Sequence, residues 1–391
     1  MSRAAILMEV MRMRFEDIFR RYEGGELGCD EAADLLGVSV STFYRKRKRF
    51  ESEGLEGLAD GRLGKLSGHR VPVNEVMRVL NLYKTQYFDF TVKHFHEKLS
   101  EHDIFRSYTW TKSTLQGAGF VFRAPRRGAH RRKRQRRALP GMMLHQDGSR
   151  HEWVPGGFWD LIVTMDDATN EIYSAFFVLE EGTQSTFEAV RQVISTQGLF
   201  CSLYVDRGSH YFRTPEAGGK VDKNNPTQVG RALRQLGIEL IAAYSPEARG
   251  RSERMFGTLQ KRLPQELRLA GITTMGSANR FLRDKFLPGH NARFRVAPEE
   301  PGSAFTAWTG RGLEEVLCIQ EERTVGNDNT IHYKNKILQI PQDKHRYHYV
   351  KASVRVHEYP DGCLAVFHGP RRLAHYEANG ALNNEKTKEA A

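Results

Sequence analysis

Three carboxylates stand in settings that suit chemistry at phosphorus. Asp147 lies within the run LHQDGSRHEWV, Asp206 closes the short apolar run LYVD, and Glu253 falls early in GRSERMFGTLQ. The first two are 59 residues apart and the second and third 47. Carboxylates gathered at one point repel one another unless cations hold them, and hard oxygen donors select Mg²⁺ or Mn²⁺. Two such ions about 3.5–4 Å apart stabilise both the attacking and the leaving oxygen of an in-line displacement. Short aspartates suit rigid strands; the longer glutamate can reach in from a helix. Singly, each acid is ordinary. The neighbouring acids Asp166, Asp167 and Glu247 rank as structural or exposed.

The elements around these acids read as an α/β layer. Strand patterns cover Gly141–Val154, Asp160–Met165 and Ile172–Leu179, the last two forming a hairpin across Asp166–Glu171. An amphipathic helix over Gln184–Gln197, a buried strand at Leu203–Asp206, a helix over Pro226–Leu236, a strand at Glu239–Ala243 and a helix over Gly250–Leu263 follow. That order predicts a mixed sheet with helices on its faces, and strand ends on one side can converge at a ligand-binding edge. Arg213–Asn225 is a polar insertion. After residue 306, strand patterns at Thr330–Gln339, Ala352–Glu358 and Leu364–His368 predict a small β-barrel of about five strands. Gly380–Ala391 is polar and expected to fray.

Charge is unevenly distributed. The 391-residue chain carries a net +12, and residues 1–139 hold 28 Lys and Arg against 17 Asp and Glu, a net +11. Arg123–Arg137 has nine basic residues and no acid, the composition either of a solvated tether or of a segment that neutralises a polyphosphate backbone. Within it Arg126, Arg127, Arg131, Arg132, Lys133 and Arg134 are the candidate phosphate contacts. Earlier, Ala33, Gly37 and Phe43 have the spacing of a helix-turn-helix, with Ala33, Leu36, Val38 and Phe43 on one buried face and Ser39 or Ser41 as the cap of the second helix. That helix would offer Ser41, Thr42, Arg45 and Lys46 to base edges in the major groove. Glu51–Gly68 reads as a linker. Helical patterns at Asn74–Tyr87, Val92–Leu99 and Tyr108–Phe120, with Thr111 or Ser113 near the last start, suggest a second, weaker helix-turn-helix-like unit. His94, His96 and His102 have no nearby cysteine and read as satisfied histidines rather than zinc ligands. The four separated cysteines argue against a disulfide scaffold. No apolar run is long enough to predict a spanning helix or a secretory signal, which with the cysteine usage fits a cytoplasmic protein.

Together, LHQDGSRHEWV, the hairpin strand ending in TMDDAT, YVDRGSHYF and YSPEARGRSERMFGTLQ resemble the integrase-type catalytic core of bacterial insertion-sequence transposases, the DDE group with a ribonuclease-H-like fold. The resemblance spans residues 12–375 and implies a multidomain α/β protein: a helix-turn-helix DNA-binding domain (1–68), a second helical unit (69–122), a basic linker (123–139), the catalytic core (140–305), a small C-terminal β-barrel (306–378) and a tail (379–391). It carries the catalytic, metal-binding triad onto Asp147, Asp206 and Glu253, with two Mg²⁺ or Mn²⁺ ions and no small-molecule cofactor. The partners it implies are double-stranded DNA, as terminal repeats and as target, and further copies of the chain on that DNA, with no membrane. Arg254 and Lys261, and with them Arg249, Arg251 and Arg262, would clamp the DNA backbone beside the cutting centre. Two departures from the family are the longer gap between Asp206 and Glu253, attributable to the Arg213–Asn225 insertion, and Arg207 where the family often has Asn. The alternatives are a DNA-binding regulator whose core no longer cuts and a ribonuclease-H-like nuclease acting on structured nucleic acid.

Overall fold

The computed structural model describes residues 3–59, 70–122, 135–214, 219–222, 224–244, 250–310, 312–342 and 344–383. Arg126, Arg127, Arg131, Arg132, Lys133 and Arg134 of the basic run lie outside the described residues, as do Glu247 and Arg249. The chain divides into two compact units, Met1–Arg78 and Val79–Ala391.

The first unit holds α1 (Arg3–Glu23), α2 (Cys29–Leu36) and α3 (Val40–Glu53). Phe15, Ile18 and Phe19 of α1 pack on Ala32, Ala33 and Phe43, with Leu36 and Val38 at the margin, so the predicted buried face forms. Gly37 closes α2 in the left-handed region (φ 66°), a conformation that costs glycine nothing. Ser39, rather than Ser41, caps α3: its hydroxyl accepts from the Thr42 N–H at 3.3 Å. The expected linker from Glu51 starts later, because α3 runs to Glu53 and a 3₁₀ turn follows over Gly54–Leu58. Leu58 packs back on the core, and that burial outweighs the local glycine content.

The second unit begins with α4 (Val73–Thr85), which crosses from the first, followed by α5 (Val92–Lys98) and α6 (Tyr108–Gly117). They close around Val79, Tyr83, Tyr87, Phe95 and Leu115. The cap of α6 is Ser107, which accepts from the Trp110 N–H at 3.2 Å. Thr111 is therefore inside the helix and buried, a shift of one turn from the expected start. The three histidines are each engaged: His94 with Glu266 at 2.7 Å, His96 with Thr111 at 3.2 Å and His102 with the Tyr87 hydroxyl at 2.9 Å.

A five-stranded sheet then forms from β1 (Leu144–Val154), β2 (Gly157–Asp166), β3 (Ile172–Val178), β4 (Ser202–Val205) and β5 (Glu239–Ala242) in the order β3-β2-β1-β4-β5. The first three strands are antiparallel; β4 lies parallel to β1 and β5 parallel to β4. Leu144, Leu203 and Val205 face α7 (Thr183–Thr196) and α8 (Gln228–Gln235) through Phe187, Val190, Val193, Val229 and Leu233. On the opposite face, Trp153, Leu161, Val163 and Phe177 pack on Met255, Phe256 and Leu259 of α9 (Gly250–Leu259) and on Leu263 and Leu267 of α10 (Leu263–Leu269). This is the mixed, doubly covered sheet that the element order predicts. The helix read over Gly250–Leu263 is two helices. Pro264 suits the first turn of α10 but would break a continuing α9, since it lacks an N–H and its ring meets the preceding turn. The helices α11 (Met275–Phe281) and α12 (Leu287–Phe294) complete this layer.

Beyond α13 (Leu313–Val316), the strands β6 (Ile319–Thr324), β9 (Ser353–Glu358), β10 (Leu364–His368) and β11 (Arg371–Tyr376) form an antiparallel sheet in the order β11-β10-β9-β6, and β7 (Thr330–Tyr333) pairs with β8 (Lys336–Gln339). In place of the expected small barrel of about five strands, the described residues show a four-stranded sheet and a two-stranded hairpin and no closed barrel. Thr330–Gln339 is a hairpin rather than one strand: Lys334 takes the left-handed region (φ 51°) and reverses the chain. Among the described residues no helix is long and apolar enough to cross a membrane.

Candidate active site

Backbone register brings two of the three predicted acids together. Leu144 pairs with Leu203 and His145 with Tyr204 across the parallel β1/β4 ladder. Two residues further along the same register, Asp147 stands opposite Asp206, which directly follows β4. Adjacent strands lie about 4.8 Å apart, and side chains alternate between faces. Leu144, Leu203 and Val205 belong to the α7 and α8 face, whereas Asp147 pairs with Val163 of the α9 face. Both acids therefore project toward the side that α9 covers. Each is half-buried. The Gly208 N–H donates to Asp206 Oδ1 at 2.8 Å, fixing that carboxyl at the strand end.

Glu253 lies in the first turn of α9 and is exposed. Its helix is tied to β1 at one end and to the turn after β2 at the other. Near the C-terminus, Gln260 donates to Ser149 at 3.0 Å. At the N-terminus, Arg251 donates to Asp167. Asp167 is fully buried and gathers three further partners: His145 Nε2 at 2.6 Å and the Arg137 N–H at 2.8 Å reach its carboxylate, and Arg136 reaches its carbonyl at 2.9 Å. Burial pushes this carboxyl up, but the bonds from His145, Arg251 and Arg137 outweigh it and hold it well below the usual carboxylate range. Asp166, also buried, accepts from the Gly141 and Thr169 N–H groups at 2.9 and 2.8 Å, and burial raises it above that range. Both turn acids are structural, as the sequence suggested, yet Asp167 joins the strand of Asp147, the helix of Glu253 and the end of the basic run.

The remaining cations divide. Arg254 and Lys261 are exposed, Arg254 on α9 and Lys261 in the turn before α10. Arg262 is not a solvent-facing clamp: it is buried and makes two bonds to Glu97, at 2.7 and 3.2 Å. Arg251 is likewise turned inward to Asp167. Arg207 donates to the Gly219 carbonyl at 2.9 Å and stacks on Tyr244, so it ties down the insertion. In the first unit Ser41 and Arg45 are exposed and Thr42 and Lys46 half-buried on α3. Arg47 of the same basic run is held by Tyr22 at 2.9 Å and Glu51 at 2.6 Å.

Glu181 escaped the sequence reading. A Cβ on Gly148 would come within 2.2 Å of Glu181 Oε2, so its carboxylate rests against β1 one residue past Asp147. Tyr211 donates to Glu181 at 3.3 Å and Gln146 donates to Tyr211 at 3.0 Å, while His210 lies 3.5 Å from the same carboxylate. Nothing in the run Glu180-Glu181-Gly182 signals this; only the return of the chain after β3 creates the contact.

Among the described residues, no group of three or more His, Cys, Asp or Glu side chains is gathered closely enough to hold a metal ion. Asp147 and Asp206, hard oxygen donors sharing a face and a register, nevertheless suit a divalent cation; Glu253 is carried by the helix on that face without joining them in a cluster.

The chain matches known proteins along most of its length. Residues 16–67 match a helix-turn-helix domain, the segment built by α1 to α3. A putative transposase, y4bF, of Sinorhizobium fredii is 30% identical over 358 residues, covering 90% of this chain and 77% of that protein. The transposase for insertion sequence IS1202 of Streptococcus pneumoniae is 24% identical, covering 90% of this chain and 85% of that one. Among solved structures, the magnesium-containing integrase catalytic core domain of HTLV-2 aligns with 36% of this chain and 82% of its own, at 17% identity and a TM-score of 0.29. Identity at this level along nine-tenths of the chain, over a helix-turn-helix unit and a mixed α/β core, places the protein in the family of insertion-sequence transposases.

Proposed function

We propose that the protein cuts and joins DNA at the ends of its own element, as a divalent-metal-dependent DDE polynucleotidyl transferase. It binds the terminal repeats through α3, hydrolyses a phosphodiester to free a 3′-OH, and directs that hydroxyl at a phosphorus of target DNA. In the first step water adds to phosphorus and the P–O3′ bond breaks; in the second the freed 3′ oxygen is the nucleophile and a target 3′ oxygen leaves. The observation that carries this reading is the register match of Asp147 and Asp206 on the sheet face packed by the helix of Glu253. A divalent cation, Mg²⁺ or Mn²⁺, would supply Lewis acidity toward the phosphoryl oxygens there. Asp147, on a strand paired along both edges, and Asp206, held by the Gly208 amide, are rigid oxygen donors. Glu253 is the third donor, and Arg254 and Lys261 steady the DNA backbone. Two element ends require at least two copies of the chain on the DNA.

The test uses the full chain and duplexes ending in the inverted repeats that flank its gene. Sequence-specific binding, with nicking and joining that require Mg²⁺ or Mn²⁺ and stop with EDTA, is the expected result. Binding without any divalent-dependent joining would leave a regulator. The α3 contacts give a separate expectation: Arg45→Ala or Lys46→Ala should reduce discrimination between repeat and random duplex by about 1–3 kcal/mol. An equal loss on both duplexes would mark these residues as phosphate contacts instead.

A further inference from the structure

A cavity of about 190 Å³ lies between the β2–β3 turn, α9 and α12. Arg136, Arg251 and Arg254 supply its charge, Asn170, Thr258 and His290 its other polar wall, and Met165, Met255 and Phe294 its floor. Among the described residues, no carboxylate lines it. Asp167 lies behind, holding Arg251, while Arg136 Nη1 is fixed by the Asp167 and Ala168 carbonyls and by Asn170 Oδ1 at 2.9, 3.2 and 2.8 Å. Three guanidinium groups thus face one space over a single paired acid. Burial, and then the charges of Arg251 and Arg254, lower the pKa of Arg136 against the opposing pull of Asp167 and Asp166. His290 lines this cavity and also the neighbouring one between α5, α10 and α12. His290 is 8% exposed and its Nδ1 has no hydrogen-bond partner, although buried polar atoms are normally satisfied. Burial, with Arg262 and Arg293 nearby, lowers it to about 4, so at neutral pH the uncharged ring can still donate one N–H.

We propose that this cavity is a phosphate-binding subsite that seats one phosphodiester of the DNA backbone beside the helix of Glu253. The space is below the roughly 300–1,000 Å³ of pockets for drug-sized ligands and suits a compact oxyanion. Planar guanidinium groups match phosphate oxygens through paired N–H donors. Arg136, the last residue but one of the basic run, forms part of this wall. The subsite rests on the transposase reading for its ligand, but not for its detection.

Inorganic phosphate is the first probe, with the full chain at fixed ionic strength. Phosphate should raise the thermal midpoint relative to chloride, and Arg254→Gln should remove the rise. Arg254 is exposed and bonds within its own helix, to the Gly250 carbonyl at 2.9 Å, so the fold should survive. Thr258→Glu, which gives up the Thr258 hydroxyl's bond to the Arg254 carbonyl at 2.9 Å but leaves every arginine side chain in place and sets a carboxylate in the wall, should remove the rise as well. An element-end duplex is the second probe. Each variant should bind it about tenfold more weakly, and Arg254→Gln should flatten the plot of log K against log salt by about 0.9, the value for one phosphate. A phosphate response unchanged in both variants overturns the subsite. A lost phosphate response with unchanged duplex affinity and slope overturns its assignment to DNA. If the wild type fails to select element ends, the transposase reading fails while the phosphate titration still reports on the cavity.

Discussion

Asp147→Asn and Asp206→Asn should each lower cleavage and joining of an element-end duplex by about 10³-fold or more, the scale of removing several kcal/mol of metal-assisted stabilisation. The β1/β4 ladder sets these side chains opposite one another, and asparagine keeps their shape while removing the charge that would hold a cation. Repeat binding should persist, because α3 and its core of Phe15, Phe19, Ala33 and Phe43 lie in the other compact unit. Single-turnover nicking and anisotropy on the same duplex separate the two effects. Either Asn variant cutting at a near-normal rate would remove that residue from the site. Glu253→Gln belongs in the same series with Glu247→Gln as its control. Loss on the second and not the first would move the third donor to the loop before α9.

Asp167→Asn should strongly destabilise the core. The carboxylate is fully buried and meets Arg251, His145 and the Arg137 amide. Removing one partner of a buried charged set leaves the others uncompensated and costs about 3–5 kcal/mol. For a domain of this size that corresponds to a fall in the thermal midpoint of about 6–20 °C, read on the core transition because a chain of two units need not unfold in one step. The pH dependence has a definite sign. Because the folded-state pKa lies below the unfolded one, the contribution is complete above the ordinary carboxylate range of about 4 and is lost as the pH falls below it. The Asn variant should therefore be less stable at pH 7 and converge on the wild type in acid. A midpoint within 2 °C of wild type at pH 7, by the same roughly 2–4 °C per kcal/mol, would show that Asp167 fastens nothing.

Much of the architecture could be read locally. Ala33, Gly37 and Phe43 specify a helix-turn-helix because a small contact, a left-handed turn and an apolar plug are requirements of near neighbours, and LYVD or DLIVTM declares a buried strand by composition alone. Asp206, at the end of the apolar run LYVD, could be marked as a candidate on that ground, whereas Asp147, in the polar run LHQDGSRHEWV, stands out only in combination with the other acids and the family resemblance. Tertiary structure decided what depends on residues far apart in the chain. The offset between β1 and β4 is a property of neither strand, yet it alone sets Asp147 against Asp206. Asp167 reads as an ordinary turn acid until His145, Arg251 and Arg137 arrive from three other segments. Arg251 and Arg262 look like surface clamps beside Arg254 and Lys261, but Asp167 and Glu97 turn them inward. The same is true of the C-terminal strands, whose alternation announces sheet but whose pairing leaves four in one sheet and two in a hairpin. Local sequence sets backbone preference and which face is apolar, because those energies act within a few residues. Partner choice for buried charges and strand edges is set only when the chain closes on itself, because there the desolvation of each group is offset by whichever partner the fold delivers.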